Sequence, residues 1–253
     1  MRTPSKILFL GTAGGRLTTF RLIRRSGGFL LAFGEDWVHV DPGPGAFVYL
    51  HERGIDYERI KLIILSHIHL DHTADVNTLI EACSRGGKLK QTYLFAPKSA
   101  LNGKERVVLP YLAKRLKGIG ILKEGSSLEA EGITVRAVMR HAHHGAETYG
   151  VEIGGSVVYV SCARYEKRML SAYPSHPRLL IINTTFYRKK PPIEHLSVEE
   201  VKELIAYLRP ETTVITHFSL EMHDIGPSKV AEELSQELGL KVLAAHDGME
   251  LEL

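Results

Sequence analysis

Three histidines and one aspartate stand within six residues of the chain: His67, His69, Asp71 and His72. Imidazole nitrogens and carboxylate oxygens are common ligands of zinc and other transition metals. In an extended segment, residues two apart point to the same side, so His67 and His69 can converge on one cation while Ile68 packs away from it. Asp71 and His72 follow where the chain turns, and their side chains can reach a neighbouring position for a second cation. The spacing therefore predicts a site for two metal ions.

These residues lie between a strand-like segment and a helical pattern. Residues 61–65 are rich in Ile and Leu, and residues 74–83 carry apolar side chains at helical spacing. Further predicted strands cover 6–10, 28–33, 37–40, 133–139, 156–160, 179–182 and 213–215, and helices cover 198–208 and 228–238. This order favours either two sheets packed face to face with helices outside or one doubly wound sheet, and the hairpin-like early strands favour the first.

The composition is that of a globular protein. Of 253 residues, 44% are hydrophobic and 24% are charged, and no repeat or linker divides them, so one domain over residues 1–253 is predicted. We found no leader-like start and no apolar run long enough to cross a membrane, so we expect a cytoplasmic protein with no membrane partner. The net charge of +3 is too small to require a nucleic-acid partner.

The spacing of His67, His69, Asp71 and His72 resembles the HxHxDH motif of the metallo-β-lactamase superfamily. Other segments resemble the remaining motifs of this family in the same order: 10–15 (LGTAGG), 40–43 (VDPG), 148–150 (TYG), 159–162 (YVSC), 194–197 (EHLS) and 216–218 (THF). The resemblance is greatest to the branch that holds tRNase Z-like nucleases and cyclic-phosphate phosphodiesterases. It implies an α/β fold of the αββα type, a four-layer sandwich with the metals at one edge.

The resemblance also implies a ligand set. His67 and His69 would hold the first metal together with His143 or His144, of which His143 is preferred from its offset to Gly150. Adjacent residues at the end of a strand point to opposite faces, so we expect only one of the two to bind. Asp71, His72 and His217 would hold the second metal.

Cys162 is a departure from the family pattern, because a bridging aspartate normally occupies its position. No aspartate stands between Asp75 and Asp224 to replace it. A thiolate is a good zinc ligand, so one or two zinc ions are expected in preference to manganese or iron. The alternative is that Cys162 is a small buried hydrophobic residue and the second site is weakened.

The expected reaction is hydrolysis by a metal-activated water. Asp71 would orient this water or accept its proton, and His195 would donate a proton to the leaving group; the alternative for His195 is capping of the helix that begins near Ser197. The basic run 188–190 could contact phosphate, although a solvated surface loop is favoured.

A phosphodiester is the favoured substrate, either a nucleic-acid end or a small cyclic phosphate, and the question of a homo-oligomer stays open. Hydrolysis of a lactone, thioester or β-lactam by the same scaffold is one alternative. A zinc-binding or sensing protein without turnover is another, since the bridging aspartate is replaced. A di-iron oxidoreductase of the same fold is disfavoured, because His69 stands where that class needs a carboxylate.

Overall fold

Strand β1 (Lys6–Phe9) illustrates how the sequence builds a layered fold. Successive side chains of a strand point to opposite faces, and here Ile7 and Phe9 enter one apolar cluster while Leu8 enters another. All three side chains are buried. A strand that is apolar on both faces must be covered on both, so the sheet lies between two other layers.

The computed structural model describes residues 2–253 and contains two seven-stranded sheets. The remaining strands are β2 (Phe29–Phe33), β3 (Asp36–Val40), β4 (Ile60–Ile64), β5 (Tyr93–Ala96), β6 (Gly118–Ile121), β7 (Ser127–Ala130), β8 (Ile133–His141), β9 (Thr148–Ile153), β10 (Val157–Val160), β11 (Leu179–Asn183), β12 (Thr212–Thr216), β13 (Val242–Ala244) and β14 (Glu250–Glu252).

The two sheets have closely matching topologies. The first has the strand order β14-β1-β2-β3-β4-β5-β6, and the second has the order β13-β12-β11-β10-β9-β8-β7. In each sheet, four strands pair antiparallel and the strands from β3 to β6, or from β10 to β13, pair in parallel. Strand β14 returns the end of the chain to the first sheet.

Helices cover the outer face of each sheet. They are α1 (Arg16–Phe20), α2 (Ala46–Glu52), α3 (Leu70–Thr73), α4 (Val76–Cys83), α5 (Lys98–Leu101), α6 (Pro110–Ala113), α7 (Arg168–Ala172), α8 (Val198–Leu208), α9 (Leu220–Ile225) and α10 (Pro227–Leu238), with one turn of 3-10 helix at Tyr57–Arg59. Helices α2 and α4 pack on the first sheet, and α8 and α10 pack on the second.

A central apolar cluster lies between the sheets, with Phe9 and Leu31 from one side and Val151 and Ile181 from the other. The four layers are thus helix, sheet, sheet and helix, which confirms the predicted αββα sandwich and excludes the doubly wound alternative. The helix predicted at 74–83 corresponds to α4, which begins at Val76, and the separate short helix α3 precedes it at Leu70–Thr73. No helix within residues 2–253 is long and apolar enough to span a membrane.

Candidate metal centre

The side chains predicted as metal ligands all follow the carboxyl ends of strands. Parallel strands bring these ends to one edge of a sheet, and both sheets present theirs at the same edge of the sandwich. Strand β4 leads to His67, His69, Asp71 and His72, β8 leads to His143, β10 to Cys162 and β12 to His217. The structure therefore brings together residues separated by up to 150 positions in the chain.

Three imidazoles form the first cluster. His69 Nδ1 lies 3.1 Å from His67 Nε2 and 3.1 Å from His143 Nε2. Nitrogen ligands about 2.1 Å from a tetrahedral zinc ion are roughly 3.4 Å apart, so three nitrogens at this spacing can share one ion. His67 and His143 are buried, whereas His69 is partly exposed.

The second cluster combines nitrogen, oxygen and sulfur. His72 Nε2 lies 3.2 Å from His217 Nε2, and Cys162 Sγ lies 3.6 Å and 3.5 Å from the same two nitrogens. Asp71 Oδ2 lies 3.6 Å from His72 Nε2 and 3.5 Å from His217 Nε2. His67 also approaches His72 and Cys162, so the two clusters are contiguous.

The ring nitrogens that face away from the clusters have partners of their own. His67 Nδ1 lies 2.9 Å from Ser66 Oγ, His143 Nδ1 donates to the Glu194 carbonyl at 2.8 Å, and His217 Nδ1 lies 2.9 Å from Thr185 Oγ1. Such outer hydrogen bonds fix the orientation and tautomer of metal-binding imidazoles. The ring nitrogens that face the clusters are therefore free to bind a metal ion through their lone pairs. This combination of imidazole, carboxylate and thiol ligands fits zinc.

Asp41 holds the loop that carries four of these residues. Its carboxylate accepts hydrogen bonds from the backbone and hydroxyl of Ser66, both at 2.7 Å, from His72 Nδ1 at 2.9 Å and from the Tyr159 hydroxyl at 2.9 Å. Asp41 is buried and has a left-handed φ of 53°. One carboxylate thus joins the end of β3, the metal-binding loop and a strand of the opposite sheet.

The neighbouring histidines of the 141–144 segment have different surroundings. His143 joins the first cluster, whereas His144 is exposed, has a φ of 47° and lies against His195. His141 is buried, with Nε2 2.5 Å from the Tyr173 hydroxyl and Nδ1 donating to the Cys162 carbonyl at 3.1 Å. His141 therefore fixes the segment that carries Cys162, and of the adjacent pair His143 is the one that faces the cluster.

His195 lies at the partly exposed edge of the centre. Its ring is 5.6 Å from that of His217 in a stacked arrangement, and its Nδ1 is 3.2 Å from Thr185 Oγ1. Nitrogens of His195 and His217 and the sulfur of Cys162 lie within 4.8 Å of one another. The helix beginning after Ser197 is capped by Ser197 and Glu200 rather than by His195.

The local charges match the needs of a cation site. Burial, reinforced by nearby imidazoles, lowers the pKa of His143 to about 3 and that of His67 well below its usual value. Burial alone would raise the pKa of Cys162, but His217 and His72 outweigh it and hold that pKa well below the usual value. Neutral imidazoles and an ionised thiol are the protonation states that bind metal, and the first cluster and Cys162 already have them. Asp71 and Cys162 instead raise the pKa of His217 to about 9 and that of His72 well above its usual value, so these two imidazoles must lose a proton before they bind an ion.

Close backbone approaches leave no room for larger side chains beside these ligands. A Cβ atom added to Gly14 would lie 2.0 Å from the His217 carbonyl oxygen, and one added to Gly43 would lie 2.0 Å from the Asp71 carbonyl oxygen. His217 itself has a φ of 62°. Strained backbone of this kind is concentrated at functional sites, where the surrounding structure maintains it.

Comparison with known proteins agrees with this architecture. The family described as the Beta-lactamase superfamily domain matches residues 36–218, a span that contains all seven predicted ligands. The chain belongs to the metallo-β-lactamase superfamily.

Two relatives in the metallo-β-lactamase superfamily are similar to this chain in sequence. An uncharacterised protein of Methanocaldococcus jannaschii is 31% identical over 258 residues, which cover 98% of this chain and 95% of the relative. Ribonuclease Z of Clostridium perfringens is 28% identical over 125 residues, which cover 49% of this chain and 38% of that protein.

Three solved structures share the fold over almost the whole chain. The metallo-β-lactamase fold protein YhfI of Bacillus subtilis has a TM-score of 0.79 at 20% identity and covers 99% of this chain and 100% of its own. A diphosphatase of the PhnP family has a TM-score of 0.72 at 19% identity, with 100% and 98% covered. Zinc-bound PqqB of Methylobacterium extorquens has a TM-score of 0.73 at 16% identity, with 98% and 100% covered.

Some residues around the site were not predicted from the sequence. Thr185 follows β11 and contacts His217, and Asn183 ends β11 and contacts Cys162, but polar residues at the end of a strand carry no distinctive signal. The segment Arg16–Arg25 was also overlooked. Four arginines without an acidic residue among ten positions could have indicated it.

Proposed function

We propose that this protein is a zinc-dependent hydrolase that cleaves phosphodiesters. The observation that carries this proposal is the convergence of His67, His69 and His143 on one point, next to the partly exposed carboxylate of Asp71. Ribonuclease Z among the relatives and a PhnP-family diphosphatase among the similar structures support a phosphate ester as substrate.

The division of labour follows from the positions of the side chains. A zinc ion held by His67, His69 and His143 would lower the pKa of a water bound to it to about 7. Asp71 has a carboxylate oxygen within 3.6 Å of two ligand nitrogens and is 23% exposed, so it can orient that water and accept its proton. His195, at the partly exposed edge, is placed to donate a proton to the leaving oxygen.

Cys162 supports zinc in preference to manganese or iron. Its sulfur lies 3.5 to 3.6 Å from His72 Nε2 and His217 Nε2, a spacing at which all three atoms can bind one ion. Soft thiolate ligands select zinc over metals that prefer oxygen. We infer that Cys162 is a terminal ligand of a second zinc ion.

Metal analysis followed by turnover tests the proposal. Purified protein is expected to hold two zinc ions per chain and to hydrolyse bis(p-nitrophenyl) phosphate, with activity lost to a chelator and restored by zinc. His143→Ala should lose one zinc ion and the activity. His51→Ala, which removes an exposed histidine of α2, is the control and should retain both. Tightly bound zinc without turnover of this diester or of other phosphate esters would contradict the proposal.

Cobalt substitution tests the role of Cys162 independently of activity. A thiolate bound to Co²⁺ gives an intense charge-transfer band in the near ultraviolet, which is expected in the wild type and absent in Cys162→Ser. Cys83→Ser is the control, because that buried thiol is the last residue of α4 and belongs to the apolar cluster between the helices and the outer face of the first sheet. Retention of the band in Cys162→Ser would exclude Cys162 as a ligand.

The replacement of the usual bridging residue by Cys162 also favours one second candidate, a zinc-binding protein without turnover. Assays with panels of phosphodiester, lactone and thioester substrates distinguish a hydrolase from this protein without turnover. If the protein cleaved only a lactone or a thioester, the proposed metal centre would stand, and the proposed substrate would change from a phosphodiester to that ester.

A further inference from the structure

The segment Arg16–Arg25 has an unusual distribution of side chains. Within helix α1, Thr18 and Thr19 are buried, whereas Leu17 and Phe20 are 56% and 69% exposed, and Leu22 just beyond the helix is 77% exposed. Short helices of globular proteins normally bury their apolar side chains and expose their polar ones. Apolar side chains grouped on the surface in this way are typical of a binding surface.

This segment is attached directly to the metal centre. The Gly14 backbone donates to the Phe218 carbonyl at 2.9 Å, and the Phe218 backbone donates to the Thr12 carbonyl at 2.8 Å. Phe218 follows the predicted ligand His217, and the guanidinium of Arg24 lies over its ring, 5.1 Å from the centroid. The exposed side chains are therefore carried by a loop fixed beside the second cluster.

The charges of the segment are largely uncompensated. Arg25 pairs with Glu52 at 3.1 Å, but Arg16, Arg21 and Arg24 have no ion-pair partner within residues 2–253. Arg24 is partly buried and donates to His223 Nδ1 at 3.2 Å and to Thr12 Oγ1 at 3.0 Å. The nearby Asp247 carboxylate accepts from the Thr12 hydroxyl and the Arg25 backbone, both at 2.7 Å, and makes no ion pair with Arg24. The basic run 188–190 differs, because Lys189 and Lys190 pair with glutamates at 3.0 Å.

We propose that the segment Arg16–Arg25 is the substrate-recognition surface of the enzyme. Arg24 binds a phosphate oxygen, and Phe20, flanked by Leu17 and Leu22, packs against a planar apolar group joined to the scissile phosphate. In a nucleotide substrate this group is a base, for which stacking on an exposed aromatic ring next to arginines is the usual mode of binding. The inference rests on the proposed phosphodiester hydrolysis and specifies which diesters are bound well.

Two synthetic diesters with the same leaving group test the role of Phe20. In p-nitrophenyl phenyl phosphate the group that remains is a planar ring, and in ethyl p-nitrophenyl phosphate it is a short alkyl chain. Phe20→Ala should raise KM about 5- to 150-fold for the phenyl diester, the range for loss of one stacking contact, and should leave kcat unchanged. We expect KM for the ethyl diester to change less than about twofold. Phe20→Trp should retain the wild-type KM.

Control variants separate recognition from general effects. Tyr207→Ala removes an aromatic side chain that is 58% exposed on helix α8 and should leave both KM values unchanged. Arg24→Gln should raise KM for both diesters, since each carries the phosphate anion, and Arg24→Lys should restore part of the loss. Zinc content and the thermal unfolding midpoint, measured for every variant, identify any that fail to fold.

Several results would overturn the inference. One is a Phe20→Ala variant whose KM for each diester equals that of the wild type. Another is a Phe20→Ala variant whose molar mass in light scattering differs from that of the wild type while KM is unchanged, which would assign the surface to contacts between two copies of the chain. If the wild type cleaves neither diester, the proposed function fails, and titration with adenosine monophosphate then decides the inference separately. Equal affinity of wild type and Phe20→Ala for this nucleotide would exclude stacking on Phe20.

Discussion

Asp41 illustrates how one buried residue controls the metal centre without belonging to either cluster. Four hydrogen bonds of 2.7 to 2.9 Å converge on its carboxylate, and one of them orients His72. An asparagine at this position would keep the tolerance for a left-handed φ but would offer a single acceptor oxygen and add two N–H donors.

Asp41→Asn is therefore expected to lower zinc affinity about 10- to 100-fold, the usual cost of losing the outer partner of a metal-binding histidine. Competition with a fluorescent chelator measures this change. Asp36→Asn, which affects only the half-exposed pair with Arg2, serves as the control and should bind zinc as the wild type does. Equal affinity in the two variants would show that Asp41 does not orient His72.

At the scale of single residues, the sequence predicts the ligands that are close together best. His67, His69, Asp71 and His72 share one loop, so their spacing alone indicates convergence. The choice between His143 and His144 depends on the turn after β8, where His144 adopts a positive φ, and no local pattern specifies that turn. Partners such as Thr185 depend on contacts between strands remote in sequence.

Strand β3 carries a buried histidine that makes the stability of the fold depend on pH. His39 Nε2 donates to the Gly27 carbonyl at 2.7 Å, and His39 Nδ1 has no hydrogen-bond partner within residues 2–253. Burial lowers the pKa of His39 to about 4, against the usual 6.5. The unfolded chain therefore takes up this proton at a higher pH than the folded chain does.

The stability contributed by neutral His39 is lost as the pH falls from about 6.5 to about 4, by about 3 kcal/mol of unfolding free energy at the lower limit. His39→Gln keeps an N–H donor for Gly27 but does not titrate, so its stability should fall less over this range. Urea unfolding of both chelator-treated proteins at pH 7 and pH 4.5 measures the difference. Parallel losses in the two proteins would exclude His39 as the titrating group.

Helix α8 begins with a capping box directly after the predicted proton donor. The backbone N–H and the hydroxyl of Ser197 both donate to the Glu200 carboxylate at 2.9 Å. Ser197→Ala should lower the unfolding free energy by about 1 kcal/mol without changing zinc content. Denaturant unfolding gives the first quantity and metal analysis the second. Ser175→Ala, at an exposed position, provides the comparison and should lower neither.

At the scale of elements, strong alternation or helical spacing was sufficient for prediction. Strands β1 to β4 and helices α8 and α10 agree with the expected positions because their apolar side chains face one or two buried layers. Strands β5, β6, β7, β9, β13 and β14 were not predicted. Among them, β6 (GIGI) and β14 (ELE) depart furthest from a strand pattern. Their glycines and charged residues give no strand pattern, and pairing with a neighbouring strand forms them.

Across the whole molecule, the ligands join the two sheets. Four come from the loop after β4 in the first sheet, and His143, Cys162 and His217 come from strands of the second. An ion bound by both sets stabilises the packing of one sheet on the other, because it binds the folded chain alone. The strand pairings within each sheet could not predict this link, which depends on how the sheets pack.

Zinc removal should accordingly lower thermal stability. At a free zinc concentration about 100 times the dissociation constant, binding contributes about 2.7 kcal/mol, and for a chain of this length that corresponds to an unfolding midpoint about 5 to 10 °C higher. Differential scanning calorimetry with zinc and with a chelator tests this, and magnesium provides a control without the expected shift. An unchanged midpoint would mean that zinc does not bridge the two sheets.

The long interval between His72 and His217, which are 145 residues apart, has a consequence for biosynthesis. A ribosome adding about 5 to 20 residues per second needs on the order of ten seconds to proceed from one codon to the other. During that time the nascent polypeptide already displays the HxHxDH loop but not its distal partners. Tight metal capture therefore waits for the synthesis of His217, and the nascent segment that carries the HxHxDH loop must remain soluble until then.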